Sequence, residues 1–254
     1  MKPLLALLLL VMGAPLAAQQ PRLVTDLSQS RIDISHRFAG GELLIFGAIQ
    51  YPGGRTPKDP PGIAILLRSP ASALTVRRKE RVAGIWVNTE AMQFRTVPGY
   101  YAVATTRPIR DLLDERNAAI YEIGLSHLQL SPITTADPAL VIEFERGLTS
   151  LRTREGLFVE QPEGVQVTDN ILYRARFPIP SSVPVGAYEV QIYLIGDGEV
   201  RARSTTTVEI DKAGFERATF LFAQQHGFLY GLFAVTLAVA MGTIAGTIGI
   251  RRAR

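Results

Sequence analysis

The residues best placed to act together on a ligand form one short basic run, Arg77-Arg78-Lys79-Glu80-Arg81. On a β-strand successive side chains point to opposite faces, so Arg77, Lys79 and Arg81 share one face and Arg78 and Glu80 the other. Three cations on one face can hold an oxyanion, with arginine donating paired N–H groups to it. The competing reading is a solvated sheet face whose charge is offset by Glu80 and by neighbouring strands. Other chemistry is poorly represented. His36, His127 and His226 lie far apart, with no HExxH, paired-ligand or nucleophile-elbow spacing around them. His36 and His127 read as loop or strand-edge residues and His226 as an interfacial one. No phosphate loop, dinucleotide fingerprint or metal-binding run occurs, so no cofactor, metal site or catalytic residue is expected, and the chain reads as a non-enzyme. Trp86, the one tryptophan, reads as a core or interface residue.

A second constellation is mechanical. Ala234, Ala238, Gly242 and Gly246 recur every four residues, so on a helix they line one groove where another helix can approach closely. They lie within Gly227 to Ile250, a stretch of 24 residues without a charged side chain. As a helix it reaches roughly 36 Å, against about 30 Å for a hydrocarbon core, and it reads as a transmembrane helix. Phe220, Phe222, Phe228 and Tyr230 cluster at its start, where aromatic rings favour the interface, and Arg251, Arg252 and Arg254 follow its end. Basic residues stay on the cytoplasmic side, so 251–254 read as a cytoplasmic tail and the preceding domain as external. The N-terminus agrees: Lys2, the apolar run Leu4 to Met12 and Ala17-Ala18 have the form of a signal peptide over 1–18. The expected location is the bacterial inner membrane, crossed once, with the N-terminal domain periplasmic.

The excess positive charge follows from that topology. Without Lys2 and the three tail arginines, 23 of the 27 basic residues remain against 23 acidic ones, and a neutral domain gives no support for nucleic-acid binding. Absence of cysteine excludes disulfides, thiolate metal sites and a cysteine nucleophile.

The elements that must carry these residues are mainly strands. Arg31 to Ser35, Glu42 to Gln50, Ile63 to Arg68, Leu74 to Glu80, Val82 to Asn88, Met92 to Val97 and Tyr100 to Thr105 are rich in Val, Ile and aromatics and punctuated by turn residues, which suggests antiparallel sandwich packing. The loop Tyr51 to Gly62 has four prolines and three glycines and forbids regular structure. Two helices are inserted. One starts after Pro108 and continues to Gly124. The other is capped by Asp137, begins at Pro138, carries Leu140, Phe144, Leu148 and Leu151 as an apolar stripe and stops at Gly156. Strands resume at Leu157, with Gly196-Asp197-Gly198 as a tight hairpin, and PIPSSVPVGAYEV resembles the strand-entry phrase of immunoglobulin-like domains. The expected division is a β-sandwich region over 19–135, a connecting amphipathic helix over 136–156, an immunoglobulin-like β region over 157–210, a juxtamembrane helix over 211–226 that begins at Asp211, and the transmembrane helix over 227–250.

VRRKERVAGIWVN (Val76 to Asn88), PGYYAVATTRPI, REGLFVE, VPVGAYEV and KAGFERATF leading into HGFLYGL together resemble an alphaproteobacterial family of single-pass transmembrane proteins. The resemblance runs from about Leu23 to the C-terminus and supports the architecture, while the family brings no established activity. It also suggests, as context only, association with sulfite-exporter-type permeases. The expected role is a membrane-anchored accessory or interaction protein serving an integral membrane partner, or self-associating through its helix. The alternatives are a periplasmic anion- or solute-binding module using Arg77, Lys79 and Arg81, and an envelope enzyme of undetected type.

Overall fold

The computed structural model describes residues 20–34, 40–133, 136–212, 219 and 222–252. The signal peptide, His36 and the tail residue Arg254 lie outside them. In chain order the strands are β1 (Arg22–Leu27), β2 (Arg31–Ile34), β3 (Gly41–Gln50), β4 (Gly62–Arg68), β5 (Ala71–Val82), β6 (Ile85–Pro98) and β7 (Tyr101–Thr105). Helices α1 (Ile109–Leu112), α2 (Glu115–Ile120) and α3 (Pro138–Arg154) follow. Then come β8 (Phe158–Gln161), β9 (Val165–Thr168), β10 (Leu172–Ile179), β11 (Gly186–Gly196), β12 (Glu199–Lys212) and helix α4 (Gly227–Arg252).

Two sheets share one apolar core. The first has strand order β1-β3-β10-β9 and the second β2-β12-β11-β4-β7-β8. Alternation decides which side chains enter the core: Leu43, Ile45 and Ile49 of β3 and Tyr173, Ala175, Phe177 and Ile179 of β10 are buried, while their neighbours face outward. Burying each such large apolar side chain contributes about 1.5–3 kcal/mol. Strand β4 is buried along nearly its whole length because it lies between β11 and β7 and is covered on both faces. One cover is the segment of α1 and α2: Leu112 reaches Gly62, where an added Cβ would lie 2.9 Å from its Cδ2, and the Tyr121 and Tyr193 rings lie 5.3 Å apart.

The expected boundary between an N-terminal sandwich (19–135) and an immunoglobulin-like unit (157–210) does not separate two sandwiches. Strand β3 pairs with β10, β4 with β11, and β7 in parallel with β8, so both halves contribute to both sheets. Neither half holds a complete sandwich.

Several local expectations also change. The helix expected from Pro108 to Gly124 is two short pieces, because Leu113 is extended and forms a bridge with Gly198 at the β11–β12 turn. Asp114 N–H and Asn117 Nδ2 both donate to the Gly198 carbonyl, which ties this segment to the hairpin. Helix α3 matches its sequence signals: Asp137 Oδ1 accepts from Ala139 N–H at 2.9 Å and Gly156 takes a φ of +70°. Its buried face holds Phe144 and Leu148, whereas Leu151 is exposed. Asp211 does not cap a helix. It extends β12, whose parallel ladder with β2 places Asp211 opposite Asp33, and the carboxylate lies 2.9 Å from Arg31. Of the expected juxtamembrane helix, Phe222 to Gln225 are helical, and Tyr230 N–H donates to the His226 carbonyl across the junction with α4.

Candidate functional site

Strands β5 and β6 form a separate two-stranded sheet, and the base of β6 is also bridged at Phe94 to Pro132. Three expected strands, Leu74 to Glu80, Val82 to Asn88 and Met92 to Val97, are thus two long ones. The reversal occurs at Ala83-Gly84, with φ of +51° and +86°, two consecutive positive values that suit a tight hairpin turn. Asn88 and Glu90 face Lys79 and Arg78 with Thr89 bulged between them, so the second strand continues where a break was expected.

The base of this hairpin belongs to the body of the protein. Met92, Phe94 and Val97 are buried, and Leu74 and Val76 pack against the core. Arg78 marks the limit of that anchorage. Its Nη1 lies 2.9 Å from Glu90, its Nη2 lies 2.5 Å from Glu143 on α3, and its guanidinium lies 5.6 Å from the centre of the Phe144 ring. Beyond Arg78 the strands project as an arm. Four residues, Lys79 to Val82, carry it about 13 Å further at roughly 3.4 Å per residue.

The alternation expected for the basic run holds. Arg77, Lys79 and Arg81 are exposed, while Arg78 is half-buried and paired. Arg77, Lys79 and Arg81 stand opposite Ala91, Asn88 and Trp86. Among the described residues none of the three pairs with a carboxylate, and Arg81 Nε donates to the Gly84 carbonyl at 3.2 Å. The three cations lie along an exposed strand.

Trp86 is not a core residue. It is 67% exposed, beside Ile85 at 68% and Val82 at 52%, so the arm ends in a cluster of bare apolar side chains. The sequence gives a signal for this cluster in retrospect: Ile85-Trp86-Val87 is three apolar residues in a row after a turn dipeptide, and such a run places apolar groups on both faces at once.

His127 has both ring nitrogens engaged. Nδ1 lies 3.0 Å from the Ile123 carbonyl and Nε2 lies 3.1 Å from Glu115 Oε1. It borders an open cleft of about 480 Å³ with Pro108, Ile109 and Glu160. Glu160 is itself held by Leu125 N–H at 2.9 Å, so these groups brace the loop around Gly124. The buried tyrosines are braces as well. Tyr101 accepts from Gly124 N–H and donates to the Glu122 carbonyl, and Arg68 lies over its ring while pairing with Glu122 at 2.7 Å. Burial raises the hydroxyl pKa of Tyr100, Tyr101 and Tyr188 well above the ordinary value.

Helix α4 carries Ala234, Ala238, Gly242 and Gly246 and ends at Arg251 and Arg252. Its 26 residues extend about 39 Å at 1.5 Å per residue. Every side chain described on it, from Gly227 to Thr243, is exposed. Its hydroxyls turn back onto its own backbone, Thr236 to the Leu232 carbonyl at 2.8 Å and Thr243 to the Ala240 carbonyl at 2.9 Å. A Cβ added at Gly242 would meet nothing within 4 Å, so the groove expected from the four-residue spacing is open at that position. Among the described residues, whose side chains on α4 stop at Thr243, no helix is long and apolar enough to cross a membrane. The backbone of α4 runs on to Arg252.

No curated protein and no solved structure matches the chain. A family model does: the one described as "Putative transmembrane protein (Alph_Pro_TM)" matches residues 22–251, spanning the sandwich, the arm and α4. The chain belongs to that family.

Proposed function

We propose that this protein is a membrane-anchored accessory protein, with its sandwich domain outside the inner membrane, α4 as the anchor and an integral membrane protein as its partner. The observation that carries the reading is the surface of α4. Phe228, Leu229, Leu232, Phe233, Val235, Leu237, Val239 and Met241 are all exposed. An apolar surface on every side of a helix calls for lipid or other helices around it. Membership in a transmembrane family supports the same assignment. The arginines at the C-terminal end give the orientation, since basic residues are retained on the cytoplasmic side. The groove of Ala234, Ala238, Gly242 and Gly246 is the contact surface, because inside lipid close packing supplies attraction that hydrophobic burial cannot. The partner is a second copy or a larger permease.

The experiment is crosslinking in native membranes of wild type and the double variant Gly242→Ile with Gly246→Ile. The variant keeps the helix apolar and fills the groove, so it inserts normally and loses its crosslinked membrane complex. Equal crosslinking yields would remove the groove from the reading. Exposure of Arg77, Lys79 and Arg81 without carboxylate partners favours a second reading, an oxyanion-binding module. Thermal stabilisation by sulfate or sulfite, lost when all three are replaced by Gln, tests it, and the openness of the strand around them makes it the weaker of the two.

A further inference from the structure

The arm joins three properties that the sandwich and α4 do not explain. Its tip is apolar, its shaft is basic, and it stands clear of the body beyond Arg78. The cross-strand pairs fix which groups share a face. Arg81 stands opposite Trp86 and Lys79 opposite Asn88, while Val82 stands opposite Ile85 and Glu80 opposite Val87. In an antiparallel pair, directly opposed residues share a face, so Trp86 projects from one side of the tip and Val82, Ile85 and Val87 from the other. A surface that docks on a folded protein needs one apolar face. A tip that is apolar on both faces suits a medium that surrounds it.

We propose that the hairpin tip, Val82 to Val87, seats in the headgroup region of an anionic bilayer, with Arg77, Lys79 and Arg81 on its acidic headgroups. The inference rests on the membrane anchoring proposed above, which brings a bilayer within reach. Depth and charge agree with it. Val82 precedes the turn and Ile85, Trp86 and Val87 follow it, so the apolar stretch of β6 spans about 10 Å at roughly 3.4 Å per residue, and interfacial elements bury about 5–10 Å into the boundary. Lys79 and Arg77 follow at the level of the phosphates, and Arg81 joins them by releasing the bond from its Nε to the Gly84 carbonyl and extending along the shaft. Tryptophan favours this boundary, where its ring is sheltered and its N–H stays wet. Deeper insertion is excluded by the backbone: a two-stranded sheet has two open edges, whose unpaired N–H and C=O groups need water.

Trp86 is the single tryptophan of the chain, so it reports on the tip without labelling. The test uses the full chain reconstituted in vesicles of phosphatidylglycerol with phosphatidylcholine, and in phosphatidylcholine alone. Flotation, quenching of Trp86 by doxyl lipids and its access to iodide are measured. The expected result in anionic vesicles is blue-shifted emission, quenching from the shallow doxyl position and protection from iodide, all reversed by high salt. Replacing Lys79 and Arg81 with Gln should lower the seated-to-free ratio about tenfold or more at low salt. Ile85→Asp should unseat the tip while flotation and circular dichroism stay unchanged, since Ile85 is exposed. Protein that floats with Trp86 fully open to iodide overturns the inference and leaves the anchor standing. Protein that does not float overturns both. Equal seating in phosphatidylcholine alone overturns the assignment of anionic lipid.

Discussion

Replacing Arg78 should loosen the arm from the body, whereas replacing its neighbour Arg77 should not. The two residues are adjacent in a basic run, but alternation sends them to opposite faces, and only Arg78 meets Glu90, Glu143 and Phe144. The Arg78 side chain keeps 26% of its exposure and its partner Glu143 keeps 65%, so each ion pair is screened and worth about 0.2–1 kcal/mol. The guanidinium over the Phe144 ring adds about 0.5–1 kcal/mol. Arg78→Met, which keeps the stem of the side chain, should therefore cost about 1–3 kcal/mol of local stability, or roughly a five- to hundredfold rise in opening of the β5–β6 ladder, at 1.4 kcal/mol per factor of ten. Hydrogen exchange of the backbone amides from Met92 to Val97 measures that opening, leaving out Arg95, whose N–H donates to the Ser131 carbonyl, and Arg77→Gln serves as the matched control. Acceleration with Arg78→Met alone supports the anchorage described here. Unchanged exchange, or an equal effect of Arg77→Gln, would show that the hairpin is held by its apolar base and its bridge to Pro132 and that the contacts to α3 carry no weight.

Two further perturbations probe the sandwich. At Gly47 an added Cβ would lie 2.1 Å from the Val24 carbonyl and 2.4 Å from the Tyr173 hydroxyl, which itself lies 2.7 Å from Thr25 Oγ1. Overpacking and the displaced hydrogen bond together predict a loss of about 2–4 kcal/mol for Gly47→Ala, read as a lower melting temperature by circular dichroism. Gly147→Ala, where nothing lies within 4 Å, should instead be neutral or stabilise α3 by up to about 1 kcal/mol. The buried tyrosines predict an alkaline limit. Tyr100, Tyr101 and Tyr188 have native pKa values raised by burial, whereas in the unfolded chain they ionise near 10. Above that pH the unfolded state holds fewer protons, so stability is intact below pH about 10 and falls as pH rises further. Tyrosinate absorbance should then rise together with loss of the circular-dichroism signal, and gradual ionisation without unfolding would contradict the buried placement.

Much of this architecture is written locally. Asp137 followed by Pro138 marks the start of α3, Gly156 marks its stop, and the alternation through Arg77, Lys79 and Arg81 fixes which face they share. These features depend on neighbours a few residues away. The misplaced ones depend on distant partners. Leu113 leaves the helix because Gly198 offers a bridge, and Asp211 stays in a strand because Arg31 and β2 lie beside it. Trp86 reads from the sequence as a core or interface residue, and the structure rules out the first of these. Its exposure depends on how far β5 and β6 continue past Arg78, a length set by the turn at Ala83-Gly84 and by the bulge at Thr89. The joining of both halves into one sandwich had no local signature, since β10 could equally have sought a partner near it in sequence.

That joining governs the order in which the protein can become stable. Strand β2 begins at Arg31 and finds its partner β12 only at Glu209, while β3 and β4 pair nearby with β1 and β7 but wait for β10 and β11 on their other edges. Loop closure over such separations must precede the contacts that reward it, which makes folding slow. A chain emerging N-terminus first therefore shows the inner faces of β3 and β4 to its surroundings until β10 and β11 have followed, and fourteen residues separate the end of its last strand from α4. Such a polypeptide has no closed core for most of its length, and the sandwich seals only when strands from its last third arrive.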